Sequence, residues 1–333
     1  MISMSDSRVE FALRAVQQAA SLAADIQNEM VSAAITKDDR SPVTVADFAA
    51  QAVVGYLLEN TFPGALLVGE ETSAVLRSPE ERDTLDTITA FMQRVKTGVS
   101  AEEVCDLIDQ GADEPKESYW TLDPIDGTKG FLRGAQYATA LAYVENGEVQ
   151  LGVLGCPNIT PDLSEDLGGE GSLVIGVRGK GAWISNLVDP INVERYSPLT
   201  VSSQDDSVKA RLVRSFESAH TNTDQIDAFQ RELGGEAHPV MVDSQVKYAM
   251  LASGEGEVYL RLLSSDQPNY REKIWDQAAG SIIVEEAGGI VTDLDGKVLD
   301  FSRGRTLKDN RGICATNGLL HDEALEALRR VKA

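Results

Sequence analysis

Residues 120–134 read WTLDPIDGTKGFLRG, and this stretch governs how the rest of the chain is interpreted. A β-type run up to Leu122 leads to two carboxylates three residues apart, Asp123 and Asp126. Pro124 fixes its own φ and lacks an amide hydrogen, so we expect a sharp turn that leaves carbonyl groups pointing outward. The sequence of this stretch therefore predicts oxygen ligands gathered at the end of a strand.

The glycine and hydroxyl that follow the carboxylates suit the binding of an anion. Gly127 lets another group approach the main chain closely, and the amides of Gly127 and Thr128 are placed to face a phosphate at a helix start. Carboxylates, a free carbonyl and a hydroxyl together suit a hard divalent cation beside a phosphate. An Asx-rich turn after a strand is the simpler alternative, so the rest of the chain has to decide.

Length and composition indicate an ordinary globular protein. The chain has 333 residues, 42% of them hydrophobic and 25% charged, which is enough for two domains or one large layered domain. Its net charge of −23 argues against binding to nucleic-acid polymers, which require a basic surface. No apolar run approaches the roughly 18 residues that span a membrane. We expect no membrane partner and a monomer.

The cysteines and the N-terminus predict a cytoplasmic location. Cys105, Cys156 and Cys314 are odd in number and widely spaced, which fits neither a disulfide framework nor a zinc site. Met1–Arg14 has no basic segment followed by an apolar core, so we expect no secretory signal.

Three further carboxylates stand at the ends of predicted elements. Residues 6–34 form a predicted helix, and a second helix opens near Val43, which places Asp47 in its first turn or two. A short buried strand leads directly into Glu70, and Asp276 begins a helix that ends at a pair of glycines. Each carboxylate also has a structural explanation, as a helix-terminal charge, a surface charge or a cap.

The remaining pattern predicts two domains. Residues 75–117 are a helical insertion, an Asn-Gly pair at 146–147 marks a hairpin, and α/β alternation resumes after a poorly patterned stretch at 186–200. We therefore expect an N-terminal α+β domain over 1–195 and a C-terminal α/β domain over 196–333. The glycines do not fit a dinucleotide-binding pattern between a strand and a helix.

Taken in order, the motifs resemble one family. Gly-Glu-Glu after a strand, then Asp-Pro-Ile-Asp-Gly-Thr, then Trp-Asp-x-Ala-Ala-Gly at a helix start are similar to the lithium-sensitive, magnesium-dependent phosphatases. That superfamily includes the inositol monophosphatases and fructose-1,6-bisphosphatase. The resemblance implies their α+β or α/β fold, a layered αβαβα sandwich. It covers nearly the whole chain and is weakest in the insertion, in 186–235 and in 262–271.

A narrower resemblance points to the 3'(2'),5'-bisphosphate nucleotidases. The run KGFLRG at 129–134, SPVT at 41–44, DSQVKY at 243–248 and EKIWD at 272–276 are similar to that branch, whereas inositol monophosphatases usually have Thr-Asn-Phe after the Asp-Gly-Thr. The branch hydrolyses adenosine 3',5'-bisphosphate to AMP within sulfur metabolism. The sequence leaves open whether 3'-phosphoadenosine 5'-phosphosulfate is also a substrate.

The resemblance also implies a set of metal ligands and catalytic groups. Two to three Mg²⁺ ions would be held by the carboxylates and one carbonyl, and Thr128, polarised by Asp47, would orient and help deprotonate the attacking water. The backbone at Gly127 and Thr128 would hold the phosphate. The implied metal ligands are Glu70, Asp123, the carbonyl of Ile125, Asp126 and Asp276, with Asp123 bridging two ions. Two ions about 3.5–4 Å apart bind both the attacking and the leaving oxygen of an in-line displacement.

The substrate residues follow from the same resemblance. Ser244, Lys247, Arg261 and His220 would line the nucleotide pocket, with the cations near the retained 5'-phosphate. The family often has a Gly-His-Ser-Ser-His run where this chain has SAHTN at 218–222, so His220 is either a pocket residue or a lone exposed histidine.

Three alternatives remain at this point. An aspartyl-phosphate phosphatase would use Asp-x-Asp, and the extra residue between Asp123 and Asp126 argues against it. The second is a phosphatase of the same fold that acts on inositol phosphates. The third is a non-catalytic regulator that binds metal or nucleotide.

Overall fold

The computed structural model describes residues 6–31, 41–216, 223–235, 237–264 and 267–332. The α-helices of this part of the chain are α1 (Ser7–Ile26), α2 (Ser41–Thr61), α3 (Arg82–Met92), α4 (Ala101–Asp109), α5 (Thr128–Leu132), α6 (Thr223–Leu233), α7 (Val246–Ala252), α8 (Ala278–Glu286) and α9 (His321–Val331). The strands are β1 (Leu67–Gly69), β2 (Ser118–Asp126), β3 (Ala138–Glu145), β4 (Glu148–Cys156), β5 (Ser172–Val177), β6 (Gly181–Asn186), β7 (Ser197–Leu199), β8 (Leu212–Arg214), β9 (Val240–Met241), β10 (Val258–Arg261), β11 (Ile290–Thr292) and β12 (Ile313–Thr316).

These strands form two sheets. The first runs β1 to β7 in chain order, with β1 parallel to β2 and every later neighbour antiparallel. The second has the order β11-β12-β10-β8-β9, and its β8, β9 and β10 pair in parallel. β7 still pairs with β6, so the first sheet extends slightly beyond the predicted domain boundary at 195/196. The division into two domains stays a prediction.

Alternating burial along the strands places helices on both faces of each sheet. In β5, Leu173 and Ile175 join the core beneath α1 and α2, whereas Val174 faces the core that contains α7 and α8. In β10, Tyr259 joins that same middle core, and Leu260 faces the outer core that contains α6 and α9. The layers therefore follow the order αβαβα, and the sandwich predicted from the sequence is confirmed. Among the described residues, no helix has both the length and the apolar character required to cross a membrane.

Pro124 does not turn the chain, so the predicted sharp turn is wrong. β2 continues as far as Asp126, and its register against β3 shifts between Asp123 and Asp126. A bulge leaves one residue outside the ladder, which is where a proline without an amide hydrogen is tolerated. The Pro124 carbonyl accepts a hydrogen bond of 2.9 Å from the Thr139 hydroxyl. The bulge, rather than a turn, sets the spacing of the two carboxylates.

Other local predictions are confirmed with shifted boundaries. Asn146 and Gly147 adopt φ values of 54° and 78° between β3 and β4, as a tight hairpin requires. The first helix ends its α-helical part at Ile26 and continues as a π-helical turn over Gln27–Val31. The predicted helical insertion carries two α-helices, α3 and α4.

Candidate active site

One cavity of about 250 Å³ lies where strands of both sheets end. Its wall from the first sheet comes from the ends of the parallel pair β1–β2, and its wall from the second comes from β8, β10 and the start of α7. The carboxyl ends of parallel strands are the usual place for ligands in α/β sheets. The lining residues that bear on function are Glu70, Asp123, Ile125, Asp126, Gly127, Thr128, Arg214, Ser215, Ser244, Lys247, Tyr259, Arg261, Tyr270 and Asp276.

Four of the predicted metal ligands place their carboxylates around this cavity. Burial raises the pKa of Asp123 well above its ordinary value, and the charges of Glu70, Asp126 and Asp276 raise it further. Desolvation raises the pKa of Glu70 to about 7, and the charges of Glu71 and Asp126 add to this, although Glu70 is exposed at the mouth of the cavity. Four carboxylates that repel each other in this way can bind protons or a cation.

Gln245 joins the segments that carry two of these carboxylates. Its backbone amide donates a 2.5 Å hydrogen bond to Asp126 Oδ2, and its side-chain amide donates to the carbonyl of Trp275 at 3.0 Å. Asp276 follows Trp275 directly and precedes Gln277, which is the N-cap of α8. Asp276 is therefore not the cap itself, which leaves its carboxylate available to the cavity.

The oxygen chemistry of the cavity suits a hard divalent cation. Asp123 is 3% exposed, and its Oδ1 has no hydrogen-bond partner in the part of the chain that the structure describes, which is a costly state for a buried oxygen. Within the described residues, however, no group of three or more acidic, imidazole or thiol side chains is already close enough to enclose an ion. The all-oxygen donor set fits Mg²⁺, and the assignment of individual ligands stays a prediction.

The predicted water-activating residues lie beside this carboxylate cluster. Thr128 lines the cavity as the first residue of α5, and Asp47 is buried in the second turn of α2. Burial raises the pKa of Asp47 well above its ordinary value, and the charges of Glu71 and Glu70 raise it further. The structure thus brings Asp47 close to the glutamates, and its pairing with Thr128 stays a prediction.

The loop before α5 requires a glycine. Gly127 has φ of 94°, and a Cβ at this position would lie 2.9 Å from the Cβ of Ser244. Both the left-handed backbone and the close approach exclude larger residues. Ser244 belongs to the segment that starts α7, so Gly127 allows the two walls of the cavity to meet.

Other residues that line the cavity are cationic. Lys247 is 5% exposed, and its Nζ donates a 2.9 Å hydrogen bond to the Ser215 hydroxyl. Burial lowers the pKa of Lys247 to about 8, because the charged form is poorly solvated there. Arg261 Nε lies 2.9 Å from Glu272 Oε2, so this guanidinium already has a counter-ion. Among the described residues, no carboxylate forms an ion pair with Lys247 within 4.0 Å, although the charges of Asp126 and Asp243 act on it and oppose the lowering of its pKa.

Some cavity residues were not among the predicted ones, and one predicted residue is not described. Arg214 is the last residue of β8, Ser215 follows it, and Tyr270 lies in the loop that leads to Trp275. Arg214 and Ser215 could have been proposed from the sequence, because they lie at the carboxyl end of a predicted parallel strand, where ligands usually bind. His220 lies outside the described residues.

Comparison with known proteins identifies the family. The pattern described as the inositol monophosphatase family matches residues 5–333. The chain belongs to this family. A Schizosaccharomyces pombe protein named 3'(2'),5'-bisphosphate nucleotidase is 38% identical, with 98% of this chain and 96% of that protein aligned. A protein of the same name from Oryza sativa is 41% identical over 96% of this chain and 92% of its own length. The family resemblance seen in the motifs is confirmed.

Solved structures of inositol monophosphatase-family proteins share the fold. An IMPase from Thermotoga maritima superposes with a TM-score of 0.62 at 20% identity, covering 98% of both chains. CysQ from Bacteroides thetaiotaomicron, a bacterial member of the family, gives 0.62 at 19% identity over 94% of this chain and 97% of its own. Identities this low support the fold alone.

Proposed function

We propose that this family member is a magnesium-dependent phosphatase that removes the 3'-phosphate of adenosine 3',5'-bisphosphate, giving AMP and inorganic phosphate. One observation carries the proposal: the same cavity is lined by a cluster of carboxylates suited to cations and by the buried cation Lys247, which forms no ion pair within 4.0 Å with any described carboxylate. A substrate with two anionic groups can place one beside cations held by the carboxylates and the other beside Lys247. The names of the S. pombe and Oryza sativa relatives agree with this substrate class. We propose 3'-phosphoadenosine 5'-phosphosulfate as a further substrate.

The carboxylate cluster would hold the metal. Glu70, Asp123, Asp126 and Asp276, with the carbonyl of Ile125, supply the oxygen donors, and the unpartnered Oδ1 of Asp123 is the donor that most requires a cation. When bound, Mg²⁺ would offset the repulsion among these carboxylates and polarise the phosphoryl oxygens. We propose two to three ions per site, as the family resemblance implies.

The residues of the chain itself would orient the attack. Gly127 and Thr128 would hold the 3'-phosphate against the end of β2. The Thr128 hydroxyl would orient a water molecule on the side of phosphorus opposite the ribose oxygen, and Asp47 would take up the proton passed through that hydroxyl. The new bond joins the water oxygen to phosphorus, and the bond from phosphorus to the 3'-oxygen breaks. That oxygen takes a proton from solvent water, and Asp47 returns its proton to solvent.

The cationic residues of the cavity would bind the group that stays on the nucleotide. Lys247 would pair with the 5'-phosphate, and Arg261, already balanced by Glu272, would contribute hydrogen bonds. Ser244 would line the same pocket. A cytoplasmic location, which we also propose, agrees with Cys105, Cys156 and Cys314 being free and buried.

Phosphate release tests the proposal directly. Purified protein is assayed with adenosine 3',5'-bisphosphate and with inositol 1-phosphate, each with and without Mg²⁺ and with added Li⁺. We expect Mg²⁺-dependent release from the nucleotide, inhibited by Li⁺. Turnover of inositol 1-phosphate alone would instead support the alternative activity of the same fold, and binding of nucleotide without turnover would support a non-catalytic regulator.

A matched pair of variants tests the site. Asp126→Asn should abolish turnover, because it removes a charged donor from the cavity while keeping the shape of the side chain. Asp295→Asn changes an exposed aspartate paired with Arg311 far from the cavity lining, and it should leave turnover unchanged. Full activity in Asp126→Asn would remove this residue from the metal site.

A further inference from the structure

Arg305 connects three segments of the chain through one side chain. Its guanidinium donates hydrogen bonds to the carbonyl of Gly69, to that of Gly111 at 3.2 Å and to that of Asp113 at 2.9 Å. The same group lies over the ring of Trp275, 4.9 Å from its centre. A guanidinium can make all these contacts together because its donors form a rigid planar fork and its face stacks on aromatic rings.

Two of the residues that Arg305 contacts immediately precede proposed metal ligands in the sequence. Gly69 is the last residue of β1 and precedes Glu70, whereas Trp275 precedes Asp276. The Arg305 carbonyl also accepts a 3.2 Å hydrogen bond from the amide of Ile274 in the same segment. Arg305 therefore fixes the distance between two carboxylate-bearing segments, one that follows β1 and one that precedes α8.

The third contact gives the helical insertion a role at the site. Gly111 and Asp113 follow α4, and the Gly69 amide donates to the Gly111 carbonyl at 2.9 Å. Gln51, which is fully buried, donates to the carbonyls of Glu71 and Ile108, both at 2.7 Å. The turn that carries Glu70 is thus held against the insertion on one side by Gln51.

A glycine is required where this turn meets Gln51. A Cβ on Gly69 would lie 2.4 Å from Gln51 Oε1, and one on Gly111 would lie 2.3 Å from Gln51 Nε2. The turn is therefore packed too tightly to shift alone, and Arg305 holds its opposite side. A change at Arg305 should act on the position of Glu70 rather than on the fold of the insertion.

We propose that Arg305 is a positioning residue for the metal site, setting Glu70 relative to Asp276 without contact with the substrate. The proposal rests on the proposed function, because it requires these two carboxylates to bind the same set of ions. Residues that orient metal ligands typically change metal affinity or activity by about 10- to 100-fold when they are replaced. The helical insertion, through its contacts with Arg305 and Gln51, is then part of the support of the site.

The test compares Arg305→Lys with the wild-type protein. Lysine keeps the charge but cannot hold three carbonyls and an aromatic face together. Mn²⁺ binding to metal-free protein is measured by isothermal titration calorimetry, and kcat and KM are measured against Mg²⁺ concentration. We expect about 10- to 100-fold weaker Mn²⁺ binding, a similar rise in the Mg²⁺ concentration for half-maximal rate, and an unchanged KM for the nucleotide.

Hydrogen exchange on metal-free protein provides a local readout. In Arg305→Lys the amides of residues 69–71 should exchange faster, whereas those of β5 and β6 should not. Arg178→Lys is the matched control, because Arg178 also holds a carbonyl, that of Val149, by two hydrogen bonds, and it lies away from the cavity lining. We expect no change in Mn²⁺ binding for this control.

The outcomes separate the two proposals. Wild-type Mn²⁺ affinity in Arg305→Lys, or faster exchange along the whole chain, would refute the positioning role while leaving the proposed function intact. Absence of Mn²⁺ binding and of metal-dependent turnover in the wild-type protein would overturn the proposed function, and the positioning role with it.

Discussion

Replacing Lys247 with methionine should weaken substrate binding and at the same time stabilise the metal-free protein. Methionine has a similar length and fits the buried site without a charge. If Lys247 binds the 5'-phosphate, the variant loses a hydrogen bond between charged groups, worth about 1.5–3 kcal/mol. That loss corresponds to a fall of roughly 10- to 150-fold in kcat/KM for the bisphosphate.

The gain in stability follows from the pKa of Lys247. Burial lowers this pKa from 10.5 to about 8, so the charged side chain costs about 3 kcal/mol at neutral pH. The cost is present below pH 8 and is relieved as the pH rises from about 8 towards 10.5, because the unfolded chain then binds more protons. In EDTA at pH 7, Lys247→Met should therefore raise the unfolding temperature by about 4 °C.

Two matched comparisons make the test specific. Adenosine 3'-monophosphate lacks the 5'-phosphate, so its kcat/KM should be nearly the same in the wild-type protein and in Lys247→Met. Lys209→Met changes an exposed lysine paired with Asp206, and it should alter neither the kinetics nor the unfolding temperature. An equal loss for both substrates, or a lower unfolding temperature in Lys247→Met, would refute the reasoning.

Three further substitutions test other features. Asp123→Asn should abolish turnover. It should nevertheless stabilise the metal-free protein at pH 8 by about 1–3 kcal/mol, because it removes a buried charge that neighbouring carboxylates repel. A lower free energy of unfolding in urea would contradict this. Gly127→Ala should lower the free energy of unfolding by about 1–3 kcal/mol and lower kcat, because the new Cβ would contact Ser244. Gly64→Ala is the control: Gly64 also has a positive φ, of 83°, but a Cβ there would have no atom within 4 Å, so this variant should keep full activity. Burial lowers the pKa of His321, whose ring is hydrogen-bonded to two threonine hydroxyls. The free energy of unfolding should therefore fall as the pH drops below about 6.5. Denaturant titrations at pH 5.5 and 8 should show a smaller fall in His321→Asn than in the wild-type protein.

The sequence predicted the parts of the site that stand at the ends of regular elements. Glu70, Asp123 and Asp276 each follow or precede a predicted strand or helix, and the structure brings them to one cavity. Periodicity and hairpin signals likewise predicted individual helices and strands, whereas the layered αβαβα arrangement followed from the resemblance to the family. The elements and their ends depend on local patterns, which a single sequence contains in full.

The features that the sequence did not predict depend on contacts between distant segments. Arg305 lies in a loop without a motif, and its role appears only when Gly69 and Trp275 are seen on either side of it. Pro124 was interpreted as a turn because the bulge that accommodates it is set by the register of β2 against β3. Register and long-range packing are properties of pairs of segments, so neither can be read from one segment alone.

The position of the cavity between the two sheets has a consequence for synthesis of the protein. The first sheet can form once the ribosome has released the residues of β7, and it then presents Glu70 and Asp123 without Lys247 or Asp276. A nascent chain or an N-terminal fragment would carry concentrated negative charge and only one wall of the pocket. We therefore expect an N-terminal fragment that ends at β7 to show none of the proposed hydrolysis, because it lacks Lys247 and Asp276.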